Sequence, residues 1–165
     1  RDLRMSRGLG DVYKRQLVMG VGNLVLCDEG VGIHAVDSLQ KENLPPWVDL
    51  LDGGTGGIAL IGLLQEYKRV ILIDATLDGN APGTIRHIKP HYSQDYPPLL
   101  SAHEIGLKEM IEAMMVQEQI PDIDLIAVSV VNVKKIGLHL SPDVARAIPL
   151  IGEKVRELIN THTKH

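Results

Sequence analysis

Four carboxylates and an imidazole stand where apolar runs of this chain end. Asp28 and Glu29, with Asn23 ahead of them, follow the run LVMGV; Asp52 ends VDLLD and opens LDGGTGG. Asp74 closes VILID, and His103 lies in SAHEIG ahead of a helical period. In open parallel sheets, ligands bind beyond the carboxyl ends of the strands, so residues leaving those ends meet although they are distant in sequence. Glu29, Asp74 and His103 are the set this rule brings together. Two carboxylates and an imidazole are groups for acid–base or metal chemistry.

The glycines around them invite another reading. Gly20 and Gly22 follow an apolar strand, as a phosphate-binding turn requires, and Asp52 is a candidate ribose-binding acid. The third glycine of the dinucleotide fingerprint is missing, however, and the neighbouring Asp28 and Glu29 repel a pyrophosphate. Each residue also has a plain structural alternative. Glu29 suits the first turn of a helix by its charge, Asp74 suits a strand-end cap, and His103 suits a helix start. The glycines of GVGN and DGGTGG suit tight turns. The remaining histidines, 34, 87, 91, 139, 162 and 165, fall on a helix, an edge strand, loops and the tail. Cys27 reads as a small semi-buried filler, and the sequence holds no nucleophile elbow, HExxH or CxxC.

The elements that must position these groups alternate between strand and helix. Residues 17–21, 48–52, 69–75 and 124–131 are apolar runs suited to buried strands, and 83–89 reads as a weaker antiparallel edge. Helical spacing occupies 30–42, 56–67, 104–115 and a final segment opened by Ser141 and Pro142, in which Pro149 is expected to kink or restart the helix. The pattern predicts an α/β three-layer domain, a twisted, mostly parallel five-stranded sheet with helices on both faces, over residues 17–161. The first 16 residues are charged and aperiodic and read as a disordered leader of cloning or assembly origin; 162–165 read as a tail.

Composition narrows the function. The 165 residues carry 17 Lys and Arg against 21 Asp and Glu, a net charge of −4, so phosphate neutralisation on a nucleic acid is not expected. One cysteine excludes an internal disulfide and a Cys-cluster metal site, which points to a reducing cytoplasm. No run is long enough to span a membrane. With no Phe and one Trp, the core must be aliphatic.

Four stretches, GVGNLVLCDEGVGIHAVDSL, LDGGTGG, VILIDATLDGNAPGTI and SAHEIGL, resemble in order and spacing the [NiFe]-hydrogenase maturation proteases. The resemblance runs from about Leu17 to the final helix. It implies a peptidase, often classed as aspartic-type, that removes a short C-terminal peptide from the nickel-loaded precursor of a hydrogenase large subunit. It also implies that Glu29, Asp74 and His103 are the metal-binding residues, their roles as ligand or base not separable. Asn23, Asp28, Asp52, Gly53, Gly54 and Thr55 then belong to substrate-binding loops. Three such ligands leave coordination positions open, as a site that grips nickel already held by another protein requires. The alternatives are a nickel-sensing chaperone that holds the precursor without cutting it, and a nucleotide-binding domain.

Overall fold

The computed structural model describes residues 3–4, 15–54, 57–91, 93–99, 107–131 and 135–161. Its elements in order are β1 (Leu3–Arg4), β2 (Gln16–Val21), a 3-10 turn (Cys27–Gly30), α1 (Val31–Gln40) and β3 (Val48–Gly54). A 3-10 turn (Gly57–Leu60) leads into α2 (Ile61–Leu64) and β4 (Arg69–Thr76). Then come β5 (Ile85–Ile88), a short 3-10 turn (Ser93–Asp95), α3 (Leu107–Val116), β6 (Asp122–Ser129) and α4 (Pro142–Thr161).

The strands form one sheet in the order β1-β3-β2-β4-β6-β5. The pairs β3/β2, β2/β4 and β4/β6 are parallel, while β1 and β5 run antiparallel at the two edges. Side chains alternate across a strand, so an unbroken apolar run requires cover on both faces. Val18, Ile71, Ile73 and Ile126 pack with α1 and α4 on one face. Leu17, Met19, Val70 and Leu72 pack with α2 and α3 on the other. These are the expected three layers.

The departures are local. The sheet has a sixth strand: Leu3 pairs with Leu51 and Arg4 with Leu50, from the stretch expected to be structureless. A strand added through backbone bonds needs no apolar periodicity, so the pattern could not announce it. The helix expected over 56–67 shrinks to a 3-10 turn and four α-helical residues, a segment containing the poor helix formers Gly57 and Gly62. Helix α4 does not restart at Pro149 but continues to Thr161. Its buried residues, Val144, Ala147, Ile151, Val155 and Leu158, keep one helical face on the sheet. Pro149 lies on the exposed side, and the bond it forfeits is to Ala145, also exposed, where solvent satisfies the carbonyl.

The chain order fixes where a ligand sits. From β2 the chain passes through α1 to β3 on one side, then returns through α2 to β4 on the other. Strand order therefore reverses between β2 and β4, and the crevice at their carboxyl ends is the place for a site.

Candidate active site

At that crevice the glycines clear space between backbones. Helix α1 starts directly on the sheet, because Gly32 lies where a Cβ would strike the carbonyl oxygens of Ile73 in β4 and Val21 in β2. Gly22, at φ +136°, lies where a Cβ would strike the carbonyl oxygen of Glu29, and its conformation also favours glycine. These glycines draw the turn Cys27–Gly30 down onto the ends of β2 and β4, one residue from Asp74 along the strand.

Asp74 is fully buried, and its Oδ1 accepts the N–H of Ala75 at 2.8 Å. Glu29 is half-buried in the turn above, which contacts β4. The turn that carries Glu29 therefore packs against the strand that carries Asp74. His103 lies outside the described residues, as does Thr55. The chain nevertheless enters His103's segment from this rim. Leu99 bridges to Thr76, two residues beyond Asp74, and Pro98 O accepts both the Thr76 hydroxyl (3.2 Å) and the Leu77 N–H (3.2 Å). Among the described residues no three His, Cys, Asp or Glu side chains gather as a metal site.

The surrounding loops divide into two kinds. Asn23 Oδ1 accepts the Val25 N–H at 3.2 Å, and Asp52 Oδ1 accepts the Gly54 N–H at 2.9 Å, so each side chain shapes its own loop. Gly54 O then accepts the Gly22 N–H at 3.0 Å, tying the Asp52–Gly54 loop to the end of β2. Asp52 also lines a cavity of about 330 Å³ with Leu24, His34, Asp37 and Leu138. Asp28 is different. It is buried, and both carboxylate oxygens are taken by Ser141, which donates its N–H to Oδ1 and its hydroxyl to Oδ2, each at 2.7 Å. That commits Asp28 to a structural partner and not, as the sequence suggested, to a substrate loop. Ser141 is a residue that the sequence reading missed in this role. Ser141 was legible only as a helix cap, since a partner 113 residues away leaves no local signal.

The comparisons with known proteins agree with this geometry. The sequence model of the family described as "Hydrogenase maturation protease" matches residues 33–158. The hydrogenase expression/formation protein HupD of Rhodobacter capsulatus is 35% identical over 153 residues, 88% of this chain and 71% of that protein. The chain belongs to the hydrogenase maturation protease family. The hydrogenase 2 maturation protease of Escherichia coli (strain K12) is 36% identical over 113 residues, 65% of this chain and 67% of that protein. The solved structure of the hydrogenase maturating endopeptidase HybD from E. coli superposes with a TM-score of 0.78 at 31% identity, covering 89% of this chain and 93% of that one. The protein is accordingly a peptidase with an α/β fold, and the dinucleotide reading falls away. No helix among the described residues of the protease is long and apolar enough to cross a membrane.

Proposed function

We propose that this protease removes a short C-terminal peptide from the nickel-loaded precursor of a [NiFe]-hydrogenase large subunit in the cytoplasm. Glu29, Asp74 and His103 grip the nickel that the precursor carries, so cutting reports that nickel insertion is complete. What supports this reading is the packing of the turn that carries Glu29 against the strand that carries Asp74, in a member of this peptidase family. Nickel here is part of the substrate. Two carboxylates and an imidazole suit a divalent ion of borderline hardness and leave it open to the precursor's own ligands.

The residues divide the work by position. Asp74, rigid at the end of the central strand, fixes one oxygen at the bottom of the crevice. Glu29 is less buried, on a turn that packs against the same strand. Either carboxylate is placed to accept a proton from the attacking water, which must lie within hydrogen-bond reach of its base. The loops carrying Asn23, Asp52, Gly53 and Gly54 form the surrounding wall and admit the precursor's backbone closely. Members of the family are named as proteases, which favours cutting over holding.

The test is to incubate the protease with nickel-loaded and nickel-free precursor and weigh the products. Loss of a C-terminal peptide from the loaded form alone is the expected result. Equal trimming of both forms removes the nickel requirement, and a stable complex without trimming turns the protease into a chaperone.

A further inference from the structure

The turn that carries Glu29 is held from outside its own segment at three points. Below it, the carbonyl of Glu29 rests on Gly22. Beside it, Cys27 N–H donates to Gly137 O at 3.0 Å while Gly137 N–H donates to Val25 O at 2.8 Å, forming a parallel bridge between Leu26 and Gly137. Behind it, Asp28 accepts two hydrogen bonds from Ser141 at the start of α4. Cys27 itself is at φ +51°, a left-handed conformation that a side-chain-bearing residue keeps only when its surroundings impose it. Successive residues of a 3-10 turn point about 120° apart. Anchoring Asp28 therefore sets the direction in which Glu29 leaves the turn.

We propose that Asp28 and Ser141 form a clamp that positions Glu29, so Asp28 is a positioning residue acting through its neighbour and not itself a contact to the substrate. This rests on the assignment of Glu29 as a ligand to the precursor's nickel. The chemistry of the pair fits a fixed clamp. The carboxylate lies against the N-terminus of α4, where the backbone N–H and the helix dipole both favour negative charge. Ser141 supplies one donor that any residue but proline supplies and one that only a hydroxyl supplies. Both elements joined by the clamp are themselves rooted: α1 through Gly32 on the sheet, α4 through its buried face. The clamp thus ties the direction of one side chain in the crevice to the packing of a helix that begins 113 residues later in the chain.

The test compares Asp28→Ala, Ser141→Ala, Ser141→Thr and Glu29→Gln for cleavage of the nickel-loaded precursor, with melting temperature and affinity for loaded and nickel-free precursor measured alongside. Misplacing a reacting group by about 1 Å lowers a rate roughly 100-fold, so Asp28→Ala is expected to fall by about that factor. Ser141→Ala falls in the same direction by less, because its N–H remains, and Ser141→Thr, which keeps the hydroxyl, restores the rate. Both weak variants lose the preference for loaded over nickel-free precursor while still binding the nickel-free form, a selective loss that general loosening does not produce. If Asp28→Ala does not fold, Asp28→Asn, which keeps an acceptor for the Ser141 N–H, replaces it and is expected to resemble Ser141→Ala. Wild-type rates in the Asp28 and Ser141 variants, with Glu29→Gln inactive, overturn the clamp and leave the site standing. A fully active Glu29→Gln overturns both.

Discussion

The two ends of the sheet treat their charged groups in opposite ways. At the amino end, β4 opens with Arg69, buried, whose guanidinium donates to Asp124 of β6 at 2.8 and 2.9 Å and also to Leu158 O of α4. His87 of β5 and Lys89 just beyond it reach the same Asp124, at 2.7 and 3.4 Å. Nearby, the buried Asp49 of β3 accepts the Tyr67 hydroxyl at 2.8 Å, with Arg15 at 3.8 Å. Burial first, then Asp49, pushes the Tyr67 phenol well above its usual range, so it stays a donor. At the carboxyl end, the same strands finish in Glu29, Asp52 and Asp74 beside backbone that glycines have cleared. One end pairs its acids with basic side chains on or beside β2, β4 and β5. The other gathers acids around a crevice. A sheet end built in the first way locks the edges of a fold, and one built in the second way suits a cation arriving from outside.

The sharpest way to break that comparison is Arg69→Met. Removing one partner of a buried pair leaves Asp124 uncompensated, a loss of about 3–5 kcal/mol. Denaturant unfolding is expected to show that loss, while cleavage per folded molecule stays at the wild-type rate. Equal damage to activity would show that the amino end belongs to the catalytic machinery.

At the opposite end, Asp74→Asn is expected to slow cleavage by about 100-fold, since the reacting geometry depends on it. Its melting temperature should remain within a few degrees of wild type. Kinetics on nickel-loaded precursor beside a thermal scan separate the two effects. Between these lies Gly32→Ala. The added methyl meets the Ile73 and Val21 carbonyls, so α1 must lift from the sheet, an overpacking loss of about 1–3 kcal/mol. Because α1 follows directly on the Glu29 turn, stability and cleavage should fall together here, unlike in either preceding variant.

The smallest effect is on acid tolerance. Burial disfavours the charged form of Asp124, but hydrogen bonds from His87 and Arg69, with the charges of Arg69 and Lys89, outweigh it and hold its carboxyl below the usual carboxylate range. A folded value below the unfolded one, about 3.9, means the stabilisation is complete above that pH and fades as pH falls through the folded value. Thermal unfolding from neutral pH downward should therefore show a loss of stability that Arg69→Met makes shallower. An unchanged acid slope in that variant would remove Asp124 from the account.

Much of this was readable in the sequence, for identifiable reasons. The run Arg69–Thr76 is buried at all eight positions, and only a central strand covered on both faces demands so long an aliphatic stretch. The edge character of Ile85–Ile88 showed in its imperfect alternation, and it is an antiparallel edge strand. Glu29 and Asp74 stand out in the sequence as acids that follow apolar runs, and the structure puts the turn of the one against the strand of the other. Asp28 was not legible in its role, because adjacency to Glu29 in sequence suggested a shared duty, whereas the 3-10 turn separates their directions. The amino-end network was equally hidden: Arg69, Asp124 and His87 meet through strand register, which no local spacing encodes. Pro149 lies inside one continuous helix, so of the kink or restart expected there the restart does not occur. A local rule was read without knowing that its missing bond lay on the solvent side.

The central claim is that the carboxyl-end crevice, through Glu29, Asp74 and His103, is where the nickel of the precursor is gripped. The most direct test is the mass of nickel-loaded precursor after incubation with wild-type protease and with the triple variant Glu29→Ala, Asp74→Ala, His103→Ala, the fold of the latter checked by circular dichroism. The account predicts that the wild type releases a C-terminal peptide and that the folded triple variant leaves the precursor at full mass. Trimming by the triple variant at the wild-type rate would contradict it.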